Sequence, residues 1–172
     1  QSQLNQHIVI YLDTTEELVN LSQFLVDVKH HQVEGFVCKR RLLSFESLPV
    51  MWVQVESVGQ DGILVRGSRA VISDRLDAAI ALDQQTIWSD TVNEVGKLVD
   101  YCIDLSTGAI TQYLFTAPGW QGLTDGLYTF APTAVVSAGK KRIMVHQTAL
   151  TQAEQFVPGG QERVQQAWQQ DV

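Results

Sequence analysis

The chain has 172 residues, 45% hydrophobic and 18% charged, which suits a globular protein of one ordinary domain or two small ones. Twelve Lys and Arg face nineteen Asp and Glu, a formal charge of -7; acidity in both halves repels phosphate and argues against nucleic acid as the main partner. No apolar run reaches the roughly 18 residues that a membrane-crossing helix needs, and the two cysteines, Cys38 and Cys102, sit singly in apolar runs rather than in a disulfide framework, which points to a reducing, cytoplasmic setting.

In chain order, the first predicted element is a hairpin in "NLSQFLVDVKHHQVEGFVC". Phe24, Val26 and Val28 recur with a period of two, the mark of a half-buried strand, and Val33, Phe36 and Val37 resume after a turn at His30-His31. The loop that follows, residues 39–50, opens on Lys39-Arg40-Arg41, read as solvated turn or edge-strand charge, and then carries Leu42, Leu43, Phe45 and Leu48. Trp52 falls in a predicted strand, and Ser57-Val58-Gly59 with Ile63-Leu64-Val65 reads as a strand, a turn and a short buried strand. Residues 74–83 form either a helix of two or three turns or an irregular connector. Trp88, near the middle of the chain, is expected to pack between the halves.

The second hairpin is the clearest element. Val99, Tyr101, Ile103 and Leu105 share one side of an extended chain, Ser106-Thr107-Gly108 turns, and Ile, Tyr, Leu and Phe resume from residue 110. A loop over 116–130 carries Pro118, three glycines, Trp120 and Leu123; Phe130-Ala131-Pro132 and then Ser137-Ala138-Gly139 with Ile143-Met144-Val145 follow. Residues 161–171 have good helix formers after Pro158-Gly159-Gly160, with Val164, Ala167 and Trp168 as a narrow apolar stripe.

The two hairpins are one pattern written twice. An offset of 77 carries Phe24 onto Tyr101, Val26 onto Ile103, Asp27 onto Asp104, Val33 onto Ile110 and Phe36 onto Tyr113; an offset of 80 aligns the downstream strand pairs. A duplicated unit of several short strands suits two tandem small β-barrels, all-β, in which closure removes exposed strand edges. The expected divisions are 1–88 and 89–150 for the two units and 151–172 for a tail with the short helix.

Gly96, Asp100, Asp104 and Thr107-Gly108, with Phe130-Ala131-Pro132 beyond, resemble the signature of the PRC-barrel family, named for the cytoplasmic barrel of the photosynthetic reaction-centre H subunit. The first unit carries it weakly: Val19 replaces the glycine, Gln23 the first aspartate and His30-His31 the Thr-Gly turn. The resemblance covers about residues 14–66 and 92–148. It implies a tandem PRC-barrel protein of the cyanobacterial or chloroplast type, a scaffold or assembly factor for photosystem or antenna complexes, with peripheral membrane association through such a complex as one form this takes. A ribosome-maturation factor, the family's other well-known branch, is the alternative, with a contact to a ribosomal protein.

Reactive constellations are lacking. Asp27 and Asp104 precede tight turns, where an aspartate accepts backbone N–H bonds, and with Gly108 they are read as structural turn residues rather than catalysts. Adjacent His30 and His31 point opposite ways on an extended chain and chelate one ion poorly, so no metal and no cofactor is expected. No nucleophile elbow, phosphate loop or Cys-x-x-Cys is present, and the protein is expected not to be an enzyme. What departs from blandness is apolar loops at matching places. They either cover a barrel mouth or present a partner surface, for which Trp120, Leu123, Phe45 and Trp88 are the candidates. A cleft between the units lined by Trp88 would make a small-molecule module the third reading.

Overall fold

A computed structural model describes residues 2–4, 7–13, 17–18, 21–39, 47–67, 82, 85–120, 123 and 126–156. Phe45, the helix expected at 161–171 and all of 74–83 except Leu82 lie outside them. Three short 3-10 turns (Ser2–Leu4, Trp52–Gln54 and Pro132–Ala134) and one short helix apart, the regular structure of the described residues is strand. The first half holds β1 (Ile8–Tyr11), β2 (Glu17–Leu18), β3 (Leu21–Asp27), β4 (Gln32–Lys39), β5 (Ser47–Met51), β6 (Val55–Val58) and β7 (Gly62–Val65). The second holds β8 (Thr86–Ser89), β9 (Glu94–Ile103), β10 (Ile110–Thr116), β11 (Tyr128–Phe130), β12 (Val135–Ala138) and β13 (Arg142–Val145). After these come a five-residue helix α1 (Gln147–Thr151), which the sequence reading did not foresee, and β14 (Glu154–Gln155). No helix among the described residues is long and apolar enough to cross a membrane.

The registers repeat pair for pair. Val26 faces Val33, Phe24 faces Phe36 and Leu21 faces Cys38 in the first hairpin; Ile103 faces Ile110, Tyr101 faces Tyr113 and Leu98 faces Phe115 in the second. Each set differs from the other by 77. Beyond the hairpins the offset is 80: Phe36 faces Val50 as Tyr113 faces Phe130, and the same register shift interrupts Val55–Ser57 and Val135–Ser137. Even the corner bonds recur, with Arg66 N–H donating to Gln54 O at 2.8 Å and His146 N–H to Ala134 O at 2.9 Å. Chance does not reproduce a bulge and its neighbouring corner together, so the described halves are copies in three dimensions.

The expected closed barrels are not closed ladders. The second half is one open seven-stranded sheet, β12-β13-β8-β9-β10-β11-β14, while the first is split into β2-β1-β7-β6 and β3-β4-β5. The sheets nevertheless curl. β11 and β12 stand five strands apart in the ladder, about 24 Å if flat, yet only the 3-10 turn Pro132–Ala134 with Ala131 joins them. β11 and β12 are not paired with each other, and Trp52–Gln54 stands at the matching corner between β5 and β6 in the first half. The strand that straddles residue 88, β8, pairs with β13 and β9 and so belongs to the second sheet, as does β14 of the tail, which pairs with β11.

Phe24 and Val26 alternate as buried residues along β3, and a register shift between Leu21 and Gln23 leaves Leu21 buried as well. Edge-to-face and tilted rings of Phe24, Phe36 and Trp52 fill one repeat; Tyr101, Tyr113, Phe115, Tyr128 and Phe130 fill the other. The halves do not keep separate cores: buried side chains of both join in one cluster. Gly96 shows why the motif begins with glycine, since a Cβ there would run into the Thr116 carbonyl oxygen.

Candidate functional site: the junction of the repeats

The tips of the two hairpins meet. Val33 N–H donates to Gly108 O at 2.9 Å and Ile110 N–H donates to His31 O at 2.8 Å. The offset of 77 exchanges these bonds, and the bridged pair between them, Gln32 and Ala109, maps onto itself. A local pseudo-two-fold axis therefore passes through the bridge, and the contact is isologous, as between subunits of a symmetric dimer.

Each tip is shaped by its aspartate. Asp27 Oδ1 accepts from Lys29 N–H at 2.9 Å and His30 N–H at 3.3 Å; Asp104 Oδ1 accepts from Ser106 N–H at 2.8 Å and Thr107 N–H at 3.2 Å. These are two copies of one Asx turn. The Ser106 hydroxyl, 2.6 Å from Asp104 Oδ1, and its amide hold that carboxyl below the usual range. At Asp27 partial burial pushes upward, but the His30 ring, 2.6 Å from Oδ2, and the amides of His30 and Lys29 outweigh it, so its pKa is lowered too. The residue closing each turn has positive φ: 50° at His31 and 77° at Gly108. Glycine adopts this readily, and histidine is among the residues that tolerate it.

Side chains across the axis differ. Trp52, 7% exposed, lies against Gly108, where a Cβ would sit 2.6 Å from Trp52 Cδ1. On the other side Pro132 occupies the place of Trp52, and His31 that of Gly108. The His31 imidazole lies edge-on to Tyr113 at 5.8 Å between centroids, with Nδ1 2.9 Å from the phenol oxygen. Burial lowers the His31 pKa, helped by repulsion from His30 and opposed by Asp27; burial also raises the Tyr113 phenol, keeping it a neutral donor. Trp52 beside Gly108 on one side, and His31 beside Tyr113 on the other, fill one dyad in two ways.

Beside Trp52 the junction opens into a cleft of about 660 Å³. Met51 and Trp52 line it from the first repeat and Leu105, Ser106 and Thr107 from the second, with Glu34 and Val53 along it. Val53 is 86% exposed and Leu105 42%.

The other sequence candidates stand apart from this junction or outside the described residues. Trp88 lies in β8, facing Met144 and Glu94, with the Arg142 guanidinium 5.1 Å from its ring centroid; Trp52 is the tryptophan that reaches the other repeat. A signal for this existed. Trp52 aligns with Pro132, and a proline after a strand marks a corner rather than a continuing strand. Trp120 and Leu123 are half-buried and pack on the core, with Leu123 N–H donating to Trp120 O at 2.8 Å. Burial pushes the Cys38 thiol up to about 12, so it behaves as an apolar core residue. His146 Nδ1 meets Asp90 at 2.9 Å, and Asp90 also accepts from Gln147 N–H at the start of α1. Among the described residues no three His, Cys, Asp or Glu gather as metal ligands would. No protein-family model matches the chain, and no curated protein matches it.

Proposed function

We propose that the chain is a pair of PRC-barrel-like units acting as a non-enzymatic protein-binding module, a scaffold or assembly factor of a large complex. The family resemblance favours a photosynthetic complex. One observation carries the reading: Val53 and Leu105, one from each repeat, both line the junction cleft with exposed apolar side chains. Single exposed apolar residues are ordinary; two that line one cleft together with a buried tryptophan offer a surface for another molecule. The Asx turns support it indirectly, because both acids are engaged in shaping the tips that build the surface.

Affinity capture with the whole chain from a photosynthetic lysate tests this. Pigment-protein or antenna subunits should be recovered in near-stoichiometric amount. Recovery of chaperones alone, or of ribosomal particles instead, would refute the photosynthetic assignment, and recovery of nothing but a small molecule would refute the module.

A further inference from the structure

The turn between β12 and β13 has a counterpart between β6 and β7 with the same backbone bond and different chemistry. Gly139 N–H donates to Arg142 O at 2.9 Å as Gly59 N–H donates to Gly62 O at 2.8 Å. The offset of 80 sets Lys140, Lys141 and Arg142 against Gln60, Asp61 and Gly62. Ladder positions extend the comparison: Thr86 pairs with Arg142 as Ile8 pairs with Gly62, and Trp88 pairs with Met144 as Ile10 pairs with Leu64. The first repeat builds the same turn and strand pair without three cations and a tryptophan, so the fold does not account for them.

In the second repeat these residues form a cleft. Ile87, Ser89, Ile143 and Val145 are buried, which puts Thr86, Trp88, Arg142 and Met144 on the other face of the parallel pair β8–β13. Thr86, Trp88, Glu94, Lys140, Lys141 and Arg142 line a cleft of about 470 Å³ there. The Arg142 guanidinium lies 5.1 Å from the Trp88 ring centroid, a contact that holds a long side chain in place. Ion pairs between described side chains join Asp27 to His30, Glu56 to Arg66 and Asp90 to His146, and include none of these three cations. Against the carboxylate of Glu94 they leave a surplus of positive charge, a local reversal of sign in a chain of net charge -7.

We propose that this cleft is a second contact site of the module and that its occupant is an acidic segment of a partner protein, with neighbouring Asp or Glu residues beside an apolar side chain; this rests on the protein-binding reading above but not on the junction cleft. Lys140 and Lys141 meet the carboxylates as point charges and Arg142 as a planar fork, while the apolar neighbour lies against Trp88. The kind of anion follows from the reach of the field. Within about 8 Å, the screening length at physiological salt, the three cations decide the sign. A short acidic run stays inside that range, whereas a nucleic acid extends past it and meets the rest of an acidic chain. The counterpart turn, with Asp61 and no base, repels the same segment, so one fold presents two charge preferences.

The test uses the whole chain and three fluorescein-labelled peptides, GSFEEEESG, GSFQQQQSG and GSFKKKKSG, followed by anisotropy and by the indole N–H resonances of Trp88 and Trp52. The glutamate peptide should bind at least about tenfold more tightly than the glutamine peptide, a difference of about 1.4 kcal/mol. It should weaken as salt rises and shift the indole of Trp88 but not that of Trp52, and the lysine peptide should not bind. Lys140→Gln with Lys141→Gln should reduce the preference for glutamate at least about fivefold, whereas Lys29→Gln with Arg66→Gln, which removes the same charge away from the cleft, should change it less than about twofold. The turn accepts the first pair of changes, since Gln60 and Asp61 occupy it in the other repeat. Equal binding of the glutamate and glutamine peptides, an equal loss in both double variants, tighter binding of a single-stranded oligonucleotide, or saturable binding of inorganic phosphate alone would overturn the proposal. Native partner captured equally by wild type and by the Lys140→Gln, Lys141→Gln variant would overturn this site while leaving the module reading intact, and capture by neither would overturn both.

Discussion

Replacing Gly108 by alanine probes the junction at its tightest point. The backbone there has φ 77°, and a Cβ would lie 2.6 Å from Trp52 Cδ1, 2.7 Å from Nε1 and 2.8 Å from Gln32 Nε2. Two costs combine: about 1 kcal/mol for placing alanine in the left-handed region and about 1–3 kcal/mol for overpacking a buried ring. Gly108→Ala should therefore lose about 2–4 kcal/mol by urea unfolding. The parts separate in a double-mutant cycle. Trp52→Ala alone costs about 3–5 kcal/mol as a buried large-to-small change, but on that background the alanine at 108 meets no ring and should cost only its backbone share of about 1 kcal/mol. The expected coupling is about 1–3 kcal/mol. Gly108→Asn provides a second check, because asparagine tolerates positive φ and so retains mainly the clash. If the two single changes add to within about 0.5 kcal/mol, the residues are independent, and the account of Trp52 as the side chain that closes the junction fails.

The remaining predictions concern the turns, the junction histidine and the core thiol. Because Asp27 and Asp104 both have lowered pKa values in the folded chain, their contribution is present above the unfolded value near 3.8 and lost as pH falls through the folded values; the double change to Asn should flatten the acid limb of the unfolding curve below about pH 4. His31 is the opposite type of group: its folded pKa lies below the ordinary imidazole value of 6.5, so folding favours the neutral ring and stability falls as pH drops from 7 through the folded value. His31→Gln should remove that slope, and hydrogen-exchange protection factors, taken relative to the intrinsic rate at each pH, should fall in acid at the Val33 and Ile110 amides, which bond across the junction, in the wild type but not in the variant. Tyr113→Phe should cost about 1 kcal/mol at neutral pH through loss of the bond to His31. Cys38, 1% exposed with its thiol raised to about 12, should resist iodoacetamide until the protein unfolds, read by mass spectrometry against Cys102.

The sequence by itself determined the two hairpins, their turns, the strand pairs downstream of each and the duplication, but not β1, β2, β8 or β14. Those features rest on contacts between near neighbours: the alternation of Phe24 with Val26 in β3, and an aspartate whose oxygen reaches amides two and three residues ahead. In β9 the period expected to bring Val99 onto the side of Tyr101 is broken by a register shift between Leu98 and Asp100, which buries Leu98 and leaves Val99 51% exposed. The offsets of 77 and 80, visible as aligned apolar positions, reappear as aligned ladder registers. Only the tertiary structure decided that the hairpin tips face one another, that the sheets curl without closing their ladders, that the cores merge, and that Trp52 rather than Trp88 reaches across. Those outcomes depend on residues more than fifty positions apart in sequence, such as Trp52 with Gly108 and His31 with Tyr113. A side chain's period fixes the face it occupies but carries no information about which distant surface that face will meet.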